Sequence, residues 1–146
     1  MPRKIYTATS WKNEELVKAL ATTLRAWGHE VYCFAEMEEG QHIFSWPNVV
    51  TPDDDGITCL DTDASRKGYE VDKKGLDWSD TLILLNPCGR DAHLEAEYTK
   101  GQGKQLIILG DWPKGEFSNM YHLADYRIRS NSLGILYLRE VLSEEL

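Results

Sequence analysis

Apolar positions along the chain fall into short β-type runs separated by stretches with helical spacing. The segment KIYTAT, residues 4–9, is brief and rich in β-formers. Ser10 behind it is a candidate helix cap, and Glu14 and Glu15 suit the positive end of a helix dipole. Leu16, Val17, Leu20, Ala21, Leu24 and Trp27 then recur every three or four residues, and Gly28 stands where a helix would end. HEVYCFA, residues 29–35, reads as a second strand, so the chain opens strand, helix, strand, with a right-handed crossover expected.

From Glu36 to about Asp63 the period breaks down, because Gly40, Pro47, Pro52 and the DDDG run at 53–56 interrupt any sustained pattern, and a loop is expected. Ala64 to Trp78 reads as a helix, with Tyr69, Asp72, Lys73 and Leu76 at helical spacings, although Gly68 and Gly75 weaken it. DTLILLN (80–86) and KQLIILG (104–110) are continuous apolar runs of the kind found at the centre of a parallel sheet, where both faces are covered. Between them, AHLEAEY alternates as an exposed strand would. Two parallel strands, however, need a crossover of a dozen or more residues, and topology therefore predicts a helix within 86–103. SNMYHLADY implies a short helix and a strand. Leu133, Leu136, Tyr137, Glu140 and Val141 mark a closing helix capped by Ser130 or Asn131. Alternating strands and helices predict a three-layer α/β/α sandwich with a mainly parallel, flavodoxin- or Rossmann-like sheet.

Composition narrows the function classes. The 146 residues, 42% of them hydrophobic, match one domain, 1–146, with its own core. A net charge of −8 argues against a nucleic acid polymer as partner, because a phosphate backbone is met with clustered cations. Cys33, Cys59 and Cys88 have neither disulfide-like nor zinc-like spacing, and no signal-like or membrane-spanning apolar stretch occurs. The expectation is a cytoplasmic protein with no membrane partner.

Asp91, Glu95 and Glu97 fall just past the DTLILLN strand. In open parallel sheets, ligands gather beyond the carboxyl ends of the strands, and the loops after 4–9 and after 80–86 should share that rim. On a helix, Asp91 and Glu95 are i and i+4, close enough for like-charge coupling to raise one of the two pKa values. Spacing alone is met equally by a solvated helix face, which is the more economical reading.

KIYTATSW, YEVDKKGLDWSDTLILLNP and GRDAHLEAEYTKGQGKQLIIL together resemble the nucleoside 2-deoxyribosyltransferase family and its relatives that hydrolyse the N-glycosidic bond of nucleotides. The likeness extends over most of the chain and is weakest at 36–63. It implies Glu95 as nucleophile, Asp72 as the carboxylate on the base side, and Tyr6 as the strand-end tyrosine that orients the nucleophile. It further implies Tyr98 as the aromatic after the nucleophile and Trp11 as a wall for the base. Two positions depart from the pattern. Glu97 stands where relatives usually carry Gly, and Gly89 replaces a carboxylate six residues before the nucleophile, with Asp91 the nearest substitute. Relatives complete the site with a group from a neighbouring subunit, for which Asp125, Tyr126 or Ser130 is available here, so a homodimer or higher homo-oligomer is implied. Arg90, next to the expected helix start, could meet a 5′-phosphate, against the alternative of a surface ion pair.

The implied activity is cleavage or exchange of the N-glycosidic bond of a small-molecule nucleoside or nucleotide, with no cofactor and no metal. Two alternatives stay open: a sensor or interaction module of the same fold that has lost its chemistry, and an NAD glycohydrolase. Other signals carry less. GQGK at 101–104 lacks the leading Gly and trailing Ser or Thr of a phosphate loop, and His93 reads as a solvent-facing first-turn residue. His29, His42 and His122 have no ligand-like spacing, and PDDDG with Asp61 and Asp63 reads as a solvated turn.

Overall fold

The structure, a computed structural model, describes residues 1–36 and 55–146. Five strands form one sheet: β1 (Lys4–Ala8), β2 (Glu30–Cys33), β3 (Thr81–Leu85), β4 (Gln105–Leu109) and β5 (Tyr126–Ile128). Four helices connect or close them: α1 (Glu14–Ala26), α2 (Asp63–Trp78), α3 (Arg90–Gly101) and α4 (Ser132–Ser143). The strand order is β2-β1-β3-β4-β5, and every neighbouring pair is parallel. This is the doubly wound arrangement of the flavodoxin-like type, in which the chain reverses its direction of travel between β1 and β3 and opens a crevice there. Of the expected central loop, residues 37–54, with Gly40, His42, Pro47 and Pro52, lie outside the described residues; Thr58–Asp61 forms a turn of 3₁₀ helix.

The period-2 geometry of the strands divides the apolar runs between two cores. Ile5, Ile83, Leu85, Ile107 and Leu109 face α1 and α4, meeting Val17, Leu20, Ala21, Leu24, Leu138, Val141 and Leu142. Tyr6, Ala8, Leu82, Leu84, Leu106 and Ile108 face the other way, toward Leu76 of α2 and Ala92 and Ala96 of α3. TLILL and QLIIL are unbroken because both faces are covered.

The AHLEAEY alternation belongs to a helix, as topology requires. Ala92, Ala96 and Thr99 recur at helical spacing and are buried, while Leu94 is exposed, so the local appearance of a strand arises from one apolar residue pointing outward. On α4, Leu138, Val141, Leu142 and Gly134 face the core; of the positions that mark this helix in sequence, Leu133, Leu136 and Tyr137 are exposed. Asn131 caps it, accepting from the Gly134 N–H at 2.8 Å. Ser10 caps the short 3₁₀ turn Trp11–Asn13 rather than α1 itself.

Arg3 closes the end of the sheet remote from the strand tips. Its side chain is buried and donates to the carbonyls of Leu142 (3.0 Å), Val141 (3.0 Å) and Glu144 (2.8 Å), and also to Thr81 and Gln105. The guanidinium thereby meets the carbonyls at the end of α4, of which Val141 O also accepts the Glu144 N–H, and lies at the negative end of the helix dipole.

Candidate active site

β1 and β2 present two tyrosines to the α2–α3 face at one register position, Tyr6 opposite Tyr32. Their rings stack, with centroids 4.9 Å apart and planes 14° from parallel. Gly75 of α2 passes directly over the pair: a Cβ there would lie 3.0 Å from Tyr32 Cδ2 and 3.1 Å from Tyr6 Cε2. The glycine that weakens the helix in sequence is what lets the helix approach the stacked rings.

Each tyrosine serves one carboxyl group. The Tyr32 hydroxyl donates to Asp72 Oδ1 at 2.8 Å. The Tyr6 hydroxyl acts on the Glu95 carboxyl, favouring its ionised form. Glu95 Oε2 is buried with no hydrogen-bond partner among the described residues. An orphaned carboxyl oxygen is costly, and such groups cluster where a ligand is to be met. Burial pushes the Glu95 pKa up to about 8, against the Tyr6 hydrogen bond, with the charges of Asp72 and Asp91 adding to the rise. Burial likewise raises Asp72, opposed by the Tyr32 hydrogen bond and reinforced by Asp91. Burial first, and then Glu95, raises Tyr6 well above the ordinary phenol range, so it is a neutral donor at all ordinary pH. Both acids are thus raised by burial, and the charge of Asp72 adds to the rise at Glu95.

A second feature opens at the strand tips. A cavity of about 670 Å³ lies beyond the carboxyl ends of β1, β3 and β4, walled by Ser10, Lys12 and Asn13, by Asn86–Gly89, by His93 and by the segment from Trp112 to Tyr121. Asn13 ties the first two loops together, donating to Thr9 Oγ1 at 2.9 Å and to the Pro87 carbonyl at 2.6 Å. Gly110, at φ +113°, turns the chain away from β4 where a side chain would strike the Asn86 carbonyl at 2.7 Å. His93 Nδ1 lies 2.7 Å from the Gly89 carbonyl, which can only accept, so Nδ1 carries the proton and Nε2 accepts from the Tyr121 hydroxyl at 2.8 Å. His93, read from sequence as solvent-facing, is a wall residue. Burial, and then the charge of Glu95, pushes the Cys88 thiol up to about 12, so it stays protonated and is no nucleophile.

The remaining residues singled out in sequence are dispersed around this centre. Asp91 is exposed at the start of α3, and its charge reaches both Glu95 and Asp72. Gly89 caps α3 and borders the cavity; Arg90 beside it is exposed. Trp11 packs edge-on against Phe34 at 4.8 Å, on the α1 side of the sheet, and would have to leave that contact to wall a base beside Glu95. The Tyr98 hydroxyl donates to Asp77 Oδ1 at 2.5 Å, joining α3 to α2. Tyr126 packs against the α1–α4 core and donates to Glu144 at 3.2 Å, away from the acids. Sequence reasoning passed over Tyr32, Gly75, Asn86, Trp112 and Tyr121. Tyr32 was recoverable in principle, since it occupies the same place in its strand as Tyr6, but the pairing register that brings them together is not written in either segment.

No family model and no curated protein matches the chain. Among solved structures it is similar to a 2-deoxyribosyltransferase from the psychrotolerant bacterium Bacillus psychrosaccharolyticus, at a TM-score of 0.57 and 18% identity, over 97% of this chain and 92% of that one. At this identity the likeness shows a shared α/β sandwich fold.

Proposed function

We propose that this protein cleaves or exchanges the N-glycosidic bond of a (deoxy)nucleoside or nucleotide through a covalent sugar ester on Glu95. The observation that carries the reading is the half-buried Glu95 carboxyl itself, whose buried Oε2 has no partner among the described residues and which lies within electrostatic reach of Tyr6 and Asp72. The likeness of fold to a 2-deoxyribosyltransferase supports it.

In the first step a lone pair of ionised Glu95 forms a bond to C1′ as the C1′–N bond breaks. The base leaves with the bonding electrons and takes the proton of Asp72. In the second step Asp72, now ionised, removes a proton from water or from an acceptor base, whose lone pair bonds to C1′ while the ester electrons return to Glu95. Water makes the protein a hydrolase, and a base makes it a transferase. The competent state carries one proton on the pair, at Asp72, and is the minor of the two arrangements, because the charge of Asp72 favours the proton on Glu95. Gly89, Arg90 and Asp91 are assigned to the sugar side of the substrate. Tyr98 and Tyr126, bonded to Asp77 and Glu144, act as supports rather than contacts. The homo-oligomer implied by the resemblance finds a suitable contact in the exposed Leu133, Leu136 and Tyr137 of α4, and sedimentation of the purified protein tests it.

Incubation with a panel of deoxynucleosides, nucleosides, their 5′-monophosphates and NAD, with and without a second free base, tests the activity by chromatography. Release or exchange of a base is expected, and it should vanish in Glu95→Gln. Binding without any release, unchanged in Glu95→Gln, would replace the enzyme reading with that of a sensor.

A further inference from the structure

The cavity at the strand tips is much larger than the proposed chemistry needs. About 670 Å³ is the space of a whole drug-sized ligand, and a 5′-hydroxyl or one phosphate would leave most of it empty. Its position relative to the acids is informative. It takes lining residues from the start of α3 and from the segments after β1, β3 and β4, but neither Glu95 nor Tyr6 nor any residue of α2 lines it, so it is a space separate from the acids. Cys88 in its wall nevertheless feels the charge of Glu95. A nucleotide with C1′ at Glu95 and its departing base toward Asp72 would direct its 5′ side into this space.

The walls have the character of a ring-binding site. His93 and Tyr121 are stacked 8° from parallel, with centroids 5.7 Å apart, and the 2.8 Å hydrogen bond between them fixes the two rings against each other. Trp112 stands against Tyr121 at 5.4 Å, tilted by 55°, as a second aromatic wall. Ser10, Asn13 and Asn86 supply neutral donors and acceptors, and Glu116 is an acceptor suited to an exocyclic amino group. Lys12 is exposed at the mouth and forms no ion pair among the described residues. Aromatic walls, neutral polar groups and one ammonium at the entrance match a heteroaromatic ring that follows an anionic linker.

We propose that this cavity is a second base subsite, and that the preferred substrate is a dinucleotide, two nucleosides joined through a pyrophosphate. One nucleoside presents its glycosidic bond to Glu95, Lys12 meets the pyrophosphate, and the second ring packs against the aromatic cluster of His93, Tyr121 and Trp112. The inference rests on the glycosidic reading for the placement of the first nucleoside.

Calorimetric titration of the full-length Glu95→Gln protein tests it without turnover. The probes are diadenosine 5′,5′-diphosphate and nicotinamide adenine dinucleotide, each compared with its own mononucleotides. At least one dinucleotide should bind tenfold or more tightly than either of its halves. Adding Trp112→Ala, or Phe117→Ala at a cavity residue that is 93% exposed and so carries little of the fold, should reduce that advantage to threefold or less. Equal affinities, or an advantage that survives both substitutions, would overturn the proposal. Base release by the unsubstituted protein is scored separately. An advantage that depends on Trp112 with no release from any probe would sink the chemistry and leave the subsite, whereas release with no affinity advantage would do the reverse.

Discussion

Glu95 faces conflicting demands: a nucleophile must be ionised, yet burial holds its pKa up to about 8. The conflict resolves if one proton is shared between Glu95 and Asp72. The pair should be active where it carries a single proton, so kcat/KM is expected to fall above about pH 8 as that proton is lost, and to fall again in acid as both groups become protonated. Tyr32→Phe removes a donor that favours ionised Asp72, so the acid limb should move to higher pH with the alkaline limb in place. A purely structural role for Tyr32 would lower the whole profile without moving it. Glu95→Gln should reduce kcat by roughly a thousandfold or more, the scale of losing about 4 kcal/mol of transition-state stabilisation. Linkage adds a stability effect with a definite sign. A carboxyl group whose folded pKa is raised stabilises the fold below its unfolded value, and that contribution is lost as pH rises from about 4.5 through about 8. Thermal unfolding of Glu95→Gln should therefore show a flatter pH dependence over this interval, with a higher Tm than the parent at pH 8.5.

Among the elements, α2 and α3 show where sequence reading succeeds and where it stops. The existence of α3 followed from the need for a crossover between TLILL and QLIIL, even though AHLEAEY locally resembles a strand. Its buried face could not be read by hydrophobicity, because it is made of Ala92, Ala96 and Thr99, small residues that let the helix lie close to the sheet. Glu95, Asp72 and Tyr6 are singled out in the sequence only by a family resemblance carried by short motifs. The tyrosine stack beneath Gly75 is not, because it depends on the register between β1 and β2 and on how closely α2 approaches. Gly75→Ala tests that arrangement. Ala improves helix propensity by up to about 1 kcal/mol, but the added methyl would meet two fixed rings, and overpacking of this kind costs about 1–3 kcal/mol. A lower midpoint in urea is expected, with a loss of activity larger than the loss of folded protein. A gain in stability with full activity would show that the rings move freely.

For the molecule as a whole, alternating strands and helices were sufficient to anticipate a parallel sheet covered on both faces, whereas the order β2-β1-β3-β4-β5 and the position of its reversal had to come from the structure. The same reversal puts the loops after β1 and β3 side by side, and so sets the cavity at that rim of the sheet. Arg3 ties the opposite end of the sheet to the last turn of α4. Arg3→Ala is expected to cost about 2–4 kcal/mol, as several carbonyls lose a charged donor at once, while leaving the pH profile of activity unshifted. Among the described residues no helix is long and apolar enough to cross a membrane. The central claim, a sugar carried on Glu95, is tested most directly by mass spectrometry of the protein quenched in acid during turnover of a substrate that it cleaves. The account predicts a mass increase of one sugar residue, mapped to the peptide that contains Glu95 and absent from Glu95→Gln. Base release that proceeds at full rate in Glu95→Gln, with no sugar attached to that peptide, would contradict it.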